Sequence, residues 1–189
     1  MNSLIENISF YHPLAEQTKV ELLKICKLEK FLKNEDILKA GESARHYYFV
    51  HSGLLGYHTS DDAGNIIYKI FFEENSFVAS TASIINGQPS NFTITALEES
   101  ALVIFPARAF RQLIEKYHDL ALAYLKYLEH NWVIKKEQME IDLKWQTAKE
   151  RYHSLKANQA LFNRLKLHQI ASYLGITPTQ LSRIRKEEG

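Results

Sequence analysis

Residues 167–186, Leu-His-Gln-Ile-Ala-Ser-Tyr-Leu-Gly-Ile-Thr-Pro-Thr-Gln-Leu-Ser-Arg-Ile-Arg-Lys, hold two short helical patterns separated by a turn signal. Apolar residues fall at Ile170, Leu174, Ile176, Leu181 and Ile184, and Ala171 is small where a second helix must cross the first. Gly175 follows the first pattern, where the backbone needs a left-handed residue to turn. Thr177 then reads as an N-cap, Pro178 as the first helical residue, and Gln180 as the second member of a Thr-x-x-Gln capping box. The spacing predicts a helix-turn-helix whose second helix runs from about Pro178 to Lys186. Its outer face would carry Thr179, Gln180, Ser182, Arg183 and Lys186, side chains that hydrogen-bond base edges or phosphates. A structural αα-corner is the alternative reading. The agreement of periodicity, small residue, turn glycine and cap favours a DNA-binding unit.

Upstream of this unit, Thr147 to Glu150 is a second capping box, so a helix restarts there with Tyr152 and Leu155 toward its core. The restart marks a hinge, and Asn158 to Arg164 is a polar-flanked connection into the terminal helices. A long helical pattern precedes it, from Leu120 to about Lys144. Ala121, Leu125, Leu128, Trp132, Met139 and Leu143 follow a spacing of three and four, which Lys136 interrupts. The narrow seam on a long helix predicts dimerisation through Leu125, Leu128, Trp132 and Met139; packing on its own domain is the alternative. Asp119 is read as the N-cap of this helix, and Phe110, Leu113, Ile114 and Tyr117 predict a helix over 107–117 before it.

From Leu28 to Pro106 the pattern changes to short aromatic and β-branched runs divided by turn signals. Asn34-Glu35-Asp36, Ser52-Gly53, Asp61-Asp62-Ala63-Gly64-Asn65 and Glu98-Glu99-Ser100 are the turns. Six to eight short strands at this spacing predict a jelly-roll or other closed antiparallel β-domain, a fold class that often encloses a small ligand. Residues 13–27 read as a short amphipathic helix with Leu14, Val20, Leu22, Leu23 and Cys26 on its apolar side.

The net charge of +1 hides an asymmetry. Lys144 to Gly189 carries nine Lys/Arg and three Asp/Glu, a net of +6, against 14 and 19 in the preceding 143 residues, a net of −5. An acidic body with a basic C-terminal end fits a sensor joined to a polyanion-binding module. The single cysteine, Cys26, excludes a disulfide framework and a four-cysteine iron–sulfur site within one chain, and reads as a buried small hydrophobe. No stretch is apolar enough to cross a membrane and no N-terminal signal core is present, so a cytoplasmic location is expected.

The order of β-domain, long helix, hinge helix and helix-turn-helix resembles the Crp/Fnr family of transcription regulators over nearly the whole chain. Ala-Gly-Glu-Ser-Ala-Arg-His-Tyr-Tyr-Phe-Val-His-Ser-Gly (40–53) is similar to the family's first barrel strands, Phe110-Arg-Gln-Leu-Ile (110–114) to its barrel-closing helix, and Ser-Arg-Ile-Arg (182–185) to its recognition helix. The resemblance implies an α+β fold with an effector-sensing β-barrel over 1–118, a dimerisation helix over 119–146 and a DNA-binding unit over 147–189. It implies a homodimer on an inverted repeat of double-stranded DNA. Arg183 would read a guanine, supported by Thr179, Gln180 and Ser182, with Arg185 and Lys186 on phosphates and Thr177 at the helix start.

Three departures alter what the resemblance implies. The phosphate cassette of cyclic-nucleotide binders corresponds to residues 77–92, where Ser80 stands in place of the ribose-binding Glu and Ser90 in place of the phosphate-binding Arg. A buried phosphate without a cation is poorly compensated, so cAMP is not the expected effector. Ser80, Thr81, Ser83, Ser90, Asn91 and Thr93 either line a neutral effector pocket or form an internally bonded turn. Lys135 and Lys136 are read as exposed helix lysines rather than as replacement cations. The cysteines of an oxygen-sensing cluster are absent, and His46, His51 and His58 lack the spacing of a cupin metal site, so no metal or other cofactor is expected. The sequence stops at Gly189, so a short or absent wing is expected, with Lys149, Arg151, Arg164 and Lys166 as substitute phosphate contacts. The expected function is a non-enzymatic regulator with an unknown small-molecule effector, and the acidic body leaves contacts to RNA polymerase open. The alternatives are a ligand-sensing module whose terminal helices bind a protein, and a cupin-like barrel enzyme.

Overall fold

The computed structural model describes residues 1–61 and 63–187. Two helices open the chain, α1 (Asn2–Tyr11) and α2 (Glu16–Lys24). Eight strands follow: β1 (Lys27–Phe31), β2 (Asp36–Leu38), β3 (His46–Ser52), β4 (Leu55–Ser60), β5 (Ile66–Phe72), β6 (Phe77–Val78), β7 (Thr93–Ala96) and β8 (Ser100–Pro106). A short helix, α3 (Thr81–Asn86), lies between β6 and β7. The rest is helical: α4 (Ala107–Lys116), α5 (His118–Leu128), a π-helical stretch (Glu129–Ile134), α6 (Lys135–Trp145), α7 (Ala148–Ala157), α8 (Gln159–Phe162), α9 (Leu167–Leu174) and α10 (Pro178–Lys186).

The strands form two antiparallel sheets of four, ordered β1-β8-β3-β6 and β2-β7-β4-β5. This corrects the expectation of a closed barrel, because each sheet keeps two edges and the pair packs face to face. Side-chain alternation explains the layering. On β3, Tyr48 and Val50 turn into the space between the sheets, where they meet Leu38, Leu55, Val78, Ile94 and Leu102. Phe49 points the other way and, with Val103 and Phe105 of β8, packs under α1, α2, α4 and α5 through Leu4, Leu22, Phe110 and Leu120. Fully burying one such Phe contributes roughly 1.5–3 kcal/mol. The outer face of the second sheet is covered as well. Leu54, Tyr68 and Phe71 share a core with Tyr152, Leu155, Leu165, Ile170 and Leu174 of the C-terminal helices. Gly56 permits this closeness, since a Cβ there would lie 2.6 Å from the Tyr68 ring.

Several local expectations change. The helix expected over 13–27 is shorter, ending at Lys24 with β1 starting at Lys27, and Val20 is half exposed rather than inward. Cys26 lies past the helix, partly buried, where burial pushes its thiol up to about 11 and leaves it unreactive. Asp119 is not the cap of the long helix, which starts at His118 after Tyr117. Its carboxylate instead accepts hydrogen bonds from Ala15 N–H (2.8 Å) and Thr18 Oγ1 (3.0 Å), pinning the start of α2 to α5. The Asp61 carboxylate closes the β4–β5 turn on Ala63 and Asn65, while Asp62 lies outside the described residues. Glu188 and Gly189, where the wing would follow, lie outside them too.

The long helix is continuous from His118 to Trp145, but its middle is a π-helix. A π-helix bonds i to i+5 and turns less per residue than an α-helix. Met139 and Leu143 are therefore set back around the axis from the stripe that Leu125 and Leu128 begin, so the seam is not a single straight line. Leu125, Trp132 and Met139 are 50%, 46% and 42% exposed, Leu128 is partly buried, and α6 buries no residue.

Candidate nucleic-acid interface

Gly175, Ile176 and Thr177 join α9 to α10. Gly175 adopts φ 68° at the end of α9, a conformation that L side chains rarely take. Thr177 Oγ1 accepts from the Gln180 N–H at 3.2 Å, and Gln180 Oε1 accepts from the Thr177 N–H at 2.8 Å. Pro178 begins α10, as the capping pattern predicts. Leu181, 2% exposed, anchors α10 in the core with Ile170 and Leu174. The geometry of α10 then fixes the rest. Thr179, Ser182, Arg183 and Lys186 share one outer stripe by their spacing of three and four. Gln180 flanks it on one side and Arg185 on the other. All six are exposed, as is Thr177. Arg183, Arg185 and Lys186 occupy the last turn, where cations complement the helix dipole. Beside the stripe, Leu167, Pro178, Leu181, Ser182, Arg185 and Lys186 line a groove of about 350 Å³.

Gln180 has two calls on one side chain. Its carbonyl is taken by the cap, accepting also from Thr177 Oγ1 at 3.1 Å, so only its amide N–H groups can turn outward. It can donate to an acceptor on a base or phosphate but cannot make the two-sided contact that reads adenine.

Three of the four residues expected as substitute phosphate contacts are engaged within the chain, Arg151 and Arg164 turned inward and Lys149 at the surface. Lys149 pairs with Glu187 at 3.0 Å. Arg151 Nη2 donates to the Leu174 carbonyl at 2.9 Å and closes the end of α9. Arg164 grips two carboxylates: Glu74 through both Nη atoms (2.9 and 3.0 Å), and Glu98 through Nη2 (2.7 Å) and Nε (3.3 Å). The hydrogen bonds from Arg164 hold the Glu74 carboxyl down at about 2. Lys149 and Lys166 are exposed, and Arg151 and Arg164 are partly buried. Part of the basic C-terminal charge therefore meets the acidic body of the same chain. Sequence reading missed these pairs because their members lie 66 and 90 residues apart in the chain.

The residues weighed as effector contacts sit at the corner between the sheets. Ser80, Ser83 and Ser90 are buried. Ser90 Oγ lies 2.8 Å from Ser80 Oγ and 2.7 Å from the Phe92 carbonyl. Ser83 Oγ donates to the Gln88 carbonyl and accepts from the Ala44 N–H, and Thr93 Oγ1 accepts from the Ala40 N–H. Thr81 is partly buried at the start of α3, and Asn91 is exposed. Tyr57 stacks on Phe92 at 4.6 Å with its hydroxyl 3.4 Å from Ser80 Oγ. Lys135 bonds Asn131 and Lys136 pairs with Glu140, both along the long helix. His58 meets Thr95 and His51 meets Ser3, and among the described residues no cluster of three metal-ligating side chains forms. No helix among them is long and apolar enough to cross a membrane.

Residues 28–117 match the family described as "Cyclic nucleotide-binding domain". No curated protein matches the chain. Among solved structures, a mutant of CooA from Carboxydothermus hydrogenoformans is similar with a TM-score of 0.71 at 14% identity, covering 99% of this chain and 84% of that one. FixK2 from Bradyrhizobium japonicum gives 0.69 at 16% identity, covering 86% and 84%. The c-di-GMP responsive global regulator CLP of Xanthomonas campestris gives 0.66 at 14% identity, covering 92% and 91%. Residues 28–117 thus match a cyclic nucleotide-binding domain, and the chain shares its fold with these solved structures.

Proposed function

We propose that the chain is a DNA-binding transcription regulator of Crp/Fnr type that works in the cytoplasm as a homodimer. The observation that carries this is the exposed stripe Thr179, Ser182, Arg183 and Lys186 on a capped helix, within a regulator-like fold. Arg183 supplies the base reader, since a guanidinium can donate two hydrogen bonds to O6 and N7 of guanine. Thr179, Gln180 and Ser182 support it, and Thr177, Arg185 and Lys186 bind phosphates. The exposed apolar residues of the long helix, Leu125, Trp132 and Met139 with the adjoining Leu128, form the contact between copies. Two recognition helices then meet half-sites about 34 Å apart on an inverted repeat. The effector is not cAMP held in the usual way, because Ser80 and Ser90 offer neither a carboxylate nor a cation and bond to each other. Ser80, Thr81, Ser83, Ser90, Asn91 and Thr93 would meet a small-molecule effector only if that bonded corner opens. No catalytic role is assigned to any residue.

Selection of bound sequences from a random DNA library tests this reading, followed by salt titration of the winner with wild type and Arg183→Ala. The expected result is an enriched inverted repeat, a steep salt slope, and a loss of about 1–3 kcal/mol of guanine discrimination in the variant. A library that stays unenriched with and without a cell metabolite extract overturns it.

A further inference from the structure

The C-terminal helices are fastened to the β-sandwich at two separate points. The first is the edge of β5, the outermost strand of its sheet. Ser172 of α9 accepts a hydrogen bond from the Tyr68 N–H at 3.0 Å and donates one to the Ile66 carbonyl at 2.6 Å. One hydroxyl thus occupies the strand-edge groups that would otherwise face water. The second point is the double grip of Arg164 on Glu74 and Glu98. Asn158 reinforces it by donating to Glu73 at 3.0 Å. Between the two points, Phe71 packs on the Tyr173 ring at 5.4 Å.

The position of Glu74 gives the second point its interest. Glu74 lies in the turn between β5 and β6, the corner where the chain passes from one sheet to the other. Its carboxylate also accepts from the Gly53 N–H at 2.8 Å, which ties in the β3–β4 turn. After Glu74 the chain needs only the short strand β6 to reach Ser80 and the buried Ser80–Ser90 pair. At the other end of the unit, Gln146 and Thr147 are extended backbone between α6 and α7, a joint about which the terminal helices can turn.

We propose that these contacts form a release latch: Arg164 on Glu74 and Glu98, with Ser172 on the β5 edge, locks the terminal helices to the sandwich. Rearrangement of residues 77–92 pulls through β6 on Glu74 and opens it. The second clause rests on reading the sandwich as a sensor; the first does not. When the latch opens, the Tyr68 N–H loses Ser172 and exchanges with solvent, while the sandwich interior stays closed. The latch is one element with two arrangements, the minimum that coupling between two sites requires.

Hydrogen exchange of the Tyr68 amide, read by NMR on the full chain without DNA or ligand, tests it. The amides of Phe49 and Val103 report whether the sandwich remains folded. Arg164→Met and the charge-neutral pair Glu74→Gln with Glu98→Gln are expected to speed Tyr68 exchange at least tenfold with Phe49 and Val103 unchanged. Arg164→Lys, which keeps the charge but loses the fork, is expected to fall between these and wild type. Ser90→Ala, remote from the interface, is expected to speed Tyr68 severalfold. Tyr68 protection left at the wild-type level in Arg164→Met overturns the latch. So does a rise in Phe49 and Val103 exchange that matches Tyr68, because opening would then be global unfolding. An unchanged Tyr68 in Ser90→Ala overturns the coupling to residues 77–92 alone. None of these readouts involves DNA, so failure of the regulator reading would show only in the library selection.

Discussion

Helices α9 and α6 both carry apolar residues at helical spacing, and they end in opposite surroundings. Ile170, Ala171 and Leu174 of α9 are each 1% exposed, closed in by Tyr68, Phe71 and the neighbouring helices. On α6 nothing is buried, and Leu143 and Trp145 are 62% and 82% exposed. The chain supplies a cover for the first helix and none for the second. An apolar face that its own chain covers contributes to folding. One left open contributes only when something else docks, which is the basis for assigning the long helix to a second copy.

The sharpest separation comes from truncating one residue of α9 and one of the π-helical stretch that leads into α6. Leu174→Ala removes a fully buried side chain and leaves a cavity, so it should cost about 2–5 kcal/mol in chemical denaturation. Trp132→Ala should leave the stability of the chain within about 0.5 kcal/mol. It should instead weaken association between copies by about 2 kcal/mol or more, some thirtyfold in Kd, as anchor aromatics do. Sedimentation velocity over a concentration series reads this. A wild-type chain that stays monomeric at high concentration would break the comparison by leaving the open face of the long helix without a second copy.

Local signals were readable and distant ones were not. Both capping boxes, at Thr147 with Glu150 and at Thr177 with Gln180, form because each needs only four consecutive residues. Which side each residue of β3 takes was not plain, because Tyr47 to Val50 is one apolar run whose Phe49 and Val50 go to opposite sides. Helix α1 escaped notice because its N-terminus has no side-chain cap and it buries only Leu4 and Ile8, too few for a stripe. Asp119 looked like a cap and was drawn instead to Ala15 and Thr18, partners 104 and 101 residues away. The stripe on α10 was legible because an isolated helix fixes it. The inward turn of Arg151 and Arg164 was not, because only tertiary packing decides whether a basic side chain meets a phosphate or a neighbouring carboxylate. The π-helix likewise has no periodic signature, and it displaces a seam that looked straight in sequence.

The docked face also differs from the open one in its response to acid. Arg164 holds the Glu74 carboxyl at about 2, below its ordinary value near 4.5. A carboxylate depressed in the folded state lends stability that is fully present above its unfolded value and is lost as pH falls through the folded one. The contact should therefore hold above about pH 4.5 and weaken progressively toward pH 2. The Tyr68 and Ser172 amide shifts, followed by NMR over that range, should move together, with the onset abolished in Glu74→Gln. Residues of α6, whose Lys136–Glu140 pair is exposed and stays within the helix, should show no matching transition. A shared transition in both helices would mean acid acts on the whole fold and not on the docked face.

The smallest effect refines the contrast between local and tertiary support. Thr177 and Thr147 form the same box in different surroundings, one above the proposed DNA face and the other at the joint between α6 and α7. Removing an N-cap Thr costs about 1 kcal/mol, since an N–H of the first turn loses its acceptor. Thr177→Ala should therefore speed exchange of the Gln180 amide and remove one of the two donors to the Gln180 carbonyl, with a loss in chemical denaturation held to about 1 kcal/mol because Leu181 still anchors the helix. Thr147→Ala should speed exchange of the Glu150 amide by a similar factor, because that amide donates to Thr147 Oγ1 in the same way. Equal effects would mean that each cap acts on its own turn alone. A larger loss at Thr147, accompanied by faster Tyr68 exchange, would mean that the joint bears part of the docking load. The terminal helices would then be held at three points, the third lying where the long helix ends.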